Sequence, residues 1–467
     1  MDDLPGTGGA RNGRNGHARH QIAAFDARDR GGSAGPRIGA VLPGGGARGA
    51  YEAGALSVLA PALQARGERI SIACGTSVGA INAAFLASTA HLPLDEQIAL
   101  ALDTWRGMRK HDVIRSVIGP SLVKTGLRLA GELLDVPGVR VAGLMDPSPL
   151  AASLERWIDW DALRHNVDSR RFDALCVVAT ALSGGGAVGF VHTAGRVPTS
   201  RAADDLRYVG VDRLLPDHVR ASAAIPLLFP PVEVTEPAEA ADAYIDGGVR
   251  LNAPIAPTLA LGADRVIVIG FEPFAARAPV PGPLRAPRMS DVGANVLSGL
   301  LVDQVADDLH RLAAINAFMV EGSGLGVANQ AARTERLARG KPAYRRIPYV
   351  LVAPEKRGRI AELADQVFEE RYSGLKGWRH PDLPVVSRLL GGGRSRSRGE
   401  LLSFLLFDER FVELLIAEGA KDAERWLDRH PHVWCSDAPH DLMDHHGGAA
   451  DARERATLDE WRSLRRR

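Results

Sequence analysis

Apolar residues first cluster at Arg37-Ile38-Gly39-Ala40-Val41-Leu42, a short run that reads as a strand and ends in Pro43-Gly44-Gly45-Gly46. From Ala50 the spacing changes, and Tyr51, Leu56, Leu59 and Leu63 fall near helical periodicity. Ile70-Ser71-Ile72-Ala73-Cys74 then predicts a second strand, broken at Gly75, and Ile81, Ala84, Phe85 and Leu86 predict a second helix. Strand, turn, helix, repeated, is the rhythm of a parallel sheet with crossover helices. Residues 95–165 read mainly as helices, interrupted at Gly119-Pro120 and Asp146-Pro147. Two β-rich runs, 173–182 and 187–193, flank Ser183-Gly184-Gly185-Gly186 and predict a hairpin. Arg265 to Gly270 is apolar enough for a buried strand, and Pro348 places the run from Arg346 to Val352 at an edge.

The ends of the chain have a different texture. Residues 1–36 are polar and Gly-rich and are expected to be disordered, because they bury too little to offset the entropy of ordering. Residues 273–290 are Pro-rich and predict an extended loop, and Gly391 to Arg398 a flexible spacer. Leu401, Leu402, Leu405, Leu406, Leu414 and Leu415 predict an amphipathic helical pair. The expected organisation is an α/β domain over 37–355, a helical region over 356–450 and a charged tail over 451–467.

Composition narrows the function classes. A net charge of +1 leaves no domain-wide basic excess, which argues against nucleic acid as the main partner. Cys74, Cys176 and Cys435 match no metal-ligand spacing and read as reduced thiols, two of them in strands. Neither a secretory leader nor a membrane span is evident, so the expected location is cytoplasmic. Residues 105–134 interleave Arg106, Arg109, Lys110, Arg115, Lys124 and Arg128 with apolar positions. Such a stretch is a candidate for peripheral contact with anionic lipid, although a solvated helix face with its apolar side in the core is the commoner origin of this pattern.

Gly44-Gly45-Gly46-Ala47-Arg48-Gly49, between strand and helix, lets backbone amides approach an anion, either a phosphate or the oxyanion of ester attack. The same glycines fit G-x-G-x-x-G, but the next strand ends Cys74-Gly75-Thr76-Ser77 without the acid that would hold a ribose. Gly75-Thr76-Ser77-Val78-Gly79 is a G-x-S-x-G elbow that would expose a serine at a helix start, or alternatively a capped helix. Asp246-Gly247-Gly248 is, taken alone, a turn. A serine nucleophile needs a base. His310, His380, His430, His432, His440, His445 and His446 follow Asp246, yet none lies in a recognisable strand-end loop. A carboxylate accepting the serine proton directly is therefore favoured over a triad, and His192 reads as structural.

In this order, and with Ala221-Ser222-Ala223-Ala224-Ile225-Pro226-Leu227-Leu228-Phe229-Pro230-Pro231 between the second and last, these motifs resemble the signature of bacterial patatin-like phospholipases over roughly residues 37–270. The resemblance implies a three-layer α/β/α domain with a mostly parallel sheet, here followed by a C-terminal helical appendage. It implies Ser77 as nucleophile, Asp246 as base, and Gly44, Gly45 and Gly46 with Arg48 as the oxyanion loop. Gly75, Gly79, Gly247 and Gly248 support those motifs. The implied activity is hydrolysis of acyl lipid esters with no cofactor or metal; the alternative is a non-catalytic lipid-binding or regulatory protein on the same fold. Pro43, where a small polar residue is common, and Val78, in place of alanine, depart from the pattern.

Overall fold

The structure, a computed structural model, describes residues 35–115, 146–200, 206–226, 228–273, 316, 334, 345–372 and 396–436. The expected disordered residues 1–34, the Pro-rich loop beyond 273, the break at Gly119-Pro120, the spacer up to 395 and the charged tail lie outside the described residues.

The strands are β1 (Ile38–Leu42), β2 (Ile70–Thr76), β3 (Ala174–Ala181), β4 (Ala187–Thr193), β5 (Leu206–Gly210), β6 (Val232–Val234), β7 (Asp242–Asp246), β8 (Arg265–Ile269) and β9 (Tyr349–Val352). They form one sheet in the order β5-β4-β3-β2-β1-β8-β9, with β7 pairing β3 and β6 pairing β7. The run β3-β2-β1-β8-β9 is parallel, and β4 and β7 lie antiparallel to β3. The predicted β3–β4 hairpin is present. β2 continues through Gly75 to Thr76, because Gly75, without a Cβ, stays extended while lying against the Gly79 carbonyl. β9 starts directly after Pro348 and is an edge strand, as the proline requires.

Alternation along the strands builds a core on each face. Leu175, Val177, Ala179 and Ala181 of β3 enter one core, and Ala174, Cys176 and Val178 the other. Cys74 and Cys176 are paired across β2 and β3, buried and unbridged.

The helices are α1 (Gly49–Gln64), α2 (Val78–Thr89), α3 (Leu94–Gly107), α4 (Lys110–Val113), α5 (Ser148–Trp157), α6 (Trp160–Asp168), α7 (Pro216–Ser222), α8 (Ile255–Ala260), α9 (Arg359–Tyr372), α10 (Arg396–Leu405) and α11 (Glu409–Arg429). α8 packs on the second core, and α1, α2 and the C-terminal helices on the first. The result is a three-layer α/β/α fold with a mostly parallel sheet and a helical C-terminal region. Among the described residues no helix is long and apolar enough to cross a membrane.

The C-terminal helices are part of the core. α11 crosses α1 so closely that a Cβ at Gly54 would sit 2.2 Å from the Ile416 carbonyl oxygen, and one at Gly419 2.1 Å from that of Tyr51. Tyr51 donates its hydroxyl to Asp422 across the same contact at 2.7 Å. Both meeting surfaces at the two glycines are backbone, so an added side chain must separate the helices. Gly54→Val should therefore lower unfolding stability by about 2–3 kcal/mol, measured by urea denaturation. Gly107→Ala, with nothing within 4 Å of its new Cβ, should stay within about 0.5 kcal/mol of wild type.

Candidate active site

Ser77 stands between β2 and α2 with φ 54° and ψ −123°, a left-handed conformation that a non-glycine residue adopts only when its surroundings impose it. The flanking glycines do so. A Cβ at Gly75 would lie 2.1 Å from the Gly79 carbonyl oxygen, and one at Gly79 2.0 Å from that of Leu42. The turn is thus a strained elbow that places the serine at the start of α2. Its amide donates to Ser222 Oγ at 2.8 Å, and the Ser222 hydroxyl donates in turn to the Val178 carbonyl at 2.5 Å.

Asp246 reaches the same place through the sheet. On β3, Val178 pairs with Thr76 and the next residue, Ala179, pairs with Asp246. β7 therefore takes up the β3 edge where β2 ends, and its last residue arrives beside the elbow. The Asp246 amide donates to the Ala224 carbonyl at 2.8 Å, and its carbonyl accepts from Thr180 Oγ1 at 3.0 Å. Gly247 must lack a side chain, since a Cβ there would meet the Val178 carbonyl oxygen at 2.2 Å.

The Asp246 carboxyl is fully buried. Oδ1 accepts from the Gly248 amide at 2.7 Å, while Oδ2 has no hydrogen-bond partner of good geometry. Burial raises its pKa to about 6, against the opposing pull of the Ser77 hydroxyl and the Gly248 amide. Ser77 is thus near enough to favour the charged carboxylate, without a hydrogen bond of good geometry to Oδ2.

The four loop positions divide in function. The Gly44 amide is engaged by Asn252 Oδ1 at 2.9 Å, and a Cβ on Gly44 would lie 2.9 Å from Ser77 Cβ, so the loop backs directly onto Ser77. The Gly45 and Gly46 amides have no acceptor among the described residues. Arg48 turns away. Its side chain is buried, donates to Ser403 Oγ at 2.7 Å and the Glu400 carbonyl at 3.0 Å, and stacks 4.1 Å from the Phe404 ring. Burial lowers its pKa to about 10, so it stays charged at neutral pH and anchors α10 over the loop.

Beside Ser77 lies a cavity of about 40 Å³ with apolar walls that include Val78, Met108, Ile114, Ile225, Phe404 and Phe407. Of the stretch 105–134, the described part is 105–115. Its Met108, Val113 and Ile114 point into this cavity, whereas Arg106 and Arg109 pair with Glu413 and Glu409 of α11. Arg115 pairs with Asp146, and residues 116–134, with Lys124 and Arg128, lie outside the described residues. Among the described residues no histidine is bonded to Ser77 or Asp246. His192 faces Asp168, His218 bonds the Leu215 amide and the Glu236 carbonyl, and His430 stacks on Trp426. His310, His380, His440, His445 and His446 lie outside them.

Ser222 and Asn252 received no role from the sequence. Both lie in segments that stood out, Ser222 in the Ala221–Pro231 block and Asn252 just after Asp246-Gly247-Gly248. Nothing in a single sequence marks a serine or asparagine as the partner of a backbone amide some 145 or 208 positions away.

Comparison with known proteins gives the same location. The family model for patatin-like phospholipases matches residues 40–259, a span that holds all four motifs. Among solved structures, VipD from Legionella pneumophila is similar at 15% identity, covering 84% of this chain and 89% of that one, with a TM-score of 0.28. Human GIVD cytosolic phospholipase A2 in complex with methyl gamma-linolenyl fluorophosphonate is similar at 12% identity, covering 84% and 60%, with a TM-score of 0.30. The ExoU-SpcU complex of Pseudomonas aeruginosa follows at 15% identity, 84% and 76% coverage and a TM-score of 0.22. At these scores the overlays carry no argument about function. No curated protein matches the chain. The four motifs and the family match agree on their span: the chain carries a patatin-like phospholipase domain over residues 40–259.

Proposed function

We propose that the chain is a serine-dependent acyl hydrolase of lipid esters, with Ser77 as nucleophile and Asp246 as the base that acts on it without a histidine. The family match supports lipid hydrolysis as the activity. One observation carries the finer assignment: an elbow serine stands beside a fully buried carboxylate whose Oδ2 has no partner. Most buried carboxylate oxygens are satisfied, and this unsatisfied one stands beside the elbow serine, whose hydroxyl pulls the carboxyl pKa down.

In the proposed reaction Asp246 accepts the Ser77 hydroxyl proton as Oγ attacks the ester carbonyl carbon. The Gly45 and Gly46 amides are the candidate donors to the developing oxyanion. Gly44, held by Asn252, positions the loop, and Arg48 fixes its outer side against α10. Collapse of the tetrahedral intermediate expels the alcohol, which regains the proton from Asp246, and leaves Ser77 acylated. Water then gives its proton to Asp246 and attacks the acyl carbon, and the acid is released as the proton returns to Ser77.

A cavity of about 40 Å³ holds roughly three waters, whereas an apolar cavity of roughly 150 Å³ is needed to take up benzene. A long acyl chain therefore enters only if its walls part, and the wall furnished by Phe404, Leu405 and Phe407 is the one outside the sheet domain. Peripheral contact with a lipid surface through residues 105–134 would suit such a substrate and belongs to the same proposal.

Hydrolysis of p-nitrophenyl esters should fall about 10³-fold or more in Ser77→Ala and Asp246→Asn; near-wild-type turnover by either would remove that residue from the mechanism. For the wild type, kcat/KM should decline with unit slope as pH drops below about 6, because the protonated carboxyl cannot accept the serine proton.

The same raised pKa has a stability consequence. The fold favours the protonated carboxyl, so the cost of its charge grows as pH rises from 3.8 to about 6 and is complete above that. Asp246→Asn should thus stabilise the protein by about 3 kcal/mol at pH 8 and leave it unchanged below pH 3.8, read by denaturant titration at each pH. Phe407→Ala, if its melting cooperativity is retained, should shift preference from butyrate toward longer acyl esters by opening the cavity wall.

A further inference from the structure

Between α1, α2 and α3 the structure leaves a second cleft, of about 300 Å³, with neither Ser77 nor Asp246 in its walls. That volume is where small-molecule sites begin. Leu56, Ala60, Phe85, Leu86, Ile98 and Phe172 are among the residues that line it. Several of the polar groups that line it are bonded within the protein. Ser57 donates to the Gly54 carbonyl, Thr89 to that of Phe85 and Gln97 to that of Leu92. Asn82, at the inner end, donates to the Gly49 carbonyl and to Glu52 and accepts from Trp105 Nε1. The inner part thus offers mainly hydrocarbon, which suits an alkyl chain better than a polar ligand.

Residues of α1 from Ala53 to Gln64 line the cleft, a span of about 16 Å at the helical rise, which is long enough for one extended chain. Glu68 and Arg69 lie in its wall at the far end. Glu68 is neutralised, because Arg265, Arg66 and Trp434 Nε1 all engage it. Arg69 is exposed and uses one nitrogen on the Arg171 carbonyl, leaving its charge at the mouth. A mainly apolar cleft with a cationic mouth matches an anionic single-chain amphiphile.

We propose that this cleft binds a fatty acid, with its methyl end toward Asn82 and its carboxylate at Arg69. Binding does not depend on the hydrolase assignment, although that activity would release the same class of molecule.

Isothermal titration of dodecanoate, kept below its micellar concentration at pH 8, into the full chain tests it without any turnover, so inactivity toward esters leaves the result readable. One saturable site per chain is expected. Ala60→Phe and Ala101→Phe fill the cleft from opposite walls, and each should weaken binding by at least about tenfold with melting temperature retained. Arg69→Gln should weaken dodecanoate severalfold and leave dodecanol unchanged. Absence of saturable binding in the wild type, or wild-type affinity in a folded filling variant, overturns the site. If Ala60→Phe does not fold, Ala101→Phe decides alone. Equal dodecanoate affinity in Arg69→Gln overturns the proposed orientation.

Discussion

Two neighbouring residues of one strand fix the candidate chemistry. Val178 and Ala179 of β3 pair respectively with Thr76, the last residue of β2, and with Asp246, the last residue of β7. A parallel neighbour and an antiparallel neighbour therefore share one edge of β3, and both finish at the same level. The elbow serine and the carboxylate come together because the hydrogen-bond ladder leaves no other register for them. Ser222 reinforces the junction, since its hydroxyl joins the Ser77 amide to the Val178 carbonyl.

That convergence has a cost, and the surrounding structure carries it. Ser77 is held at positive φ by glycines pressed against backbone, and Asp246 is a fully buried carboxyl with one oxygen unpaired. Each is locally unfavourable. Around them, β1, β2, β3 and β8 are buried on both faces, and α11 closes over α1 through two glycines that allow backbone contact. A carboxyl whose pKa burial raises to about 6 is ionised near neutral pH yet more basic than a solvated carboxylate, which suits the role proposed for it.

Much of this was legible in the sequence because it is local. The strand-glycine-helix rhythm gave β1, β2, α1 and α2, the Ser183–Gly186 cluster gave the β3–β4 hairpin, and Pro348 gave the edge position of β9. The spacing of glycines around Ser77 and the Asp246-Gly247-Gly248 turn pointed to the chemistry, and their order carried the family resemblance. What escaped was set by contacts remote in the chain. Asn252 holds Gly44, and the guanidinium of Arg48 reaches α10, 355 residues on, instead of lying free beside the loop. Leucine periodicity after residue 400 showed amphipathic helices but not that Phe404, Leu405 and Phe407 would form a wall of the cavity beside Ser77. A helical pattern states which face is apolar and not what that face covers.

The pairing of Ser77 with Asp246 is tested most directly by covalent labelling. An alkyl fluorophosphonate loses fluoride to an activated serine oxygen and leaves a stable mass increment, so incubation followed by intact-mass measurement and peptide mapping reports the nucleophile without assuming a substrate. The account predicts one adduct per chain on the peptide bearing Ser77, formed much more slowly in Asp246→Asn and absent in Ser77→Ala. An adduct that persists in Ser77→Ala, or that forms in Asp246→Asn at the wild-type rate, would contradict it.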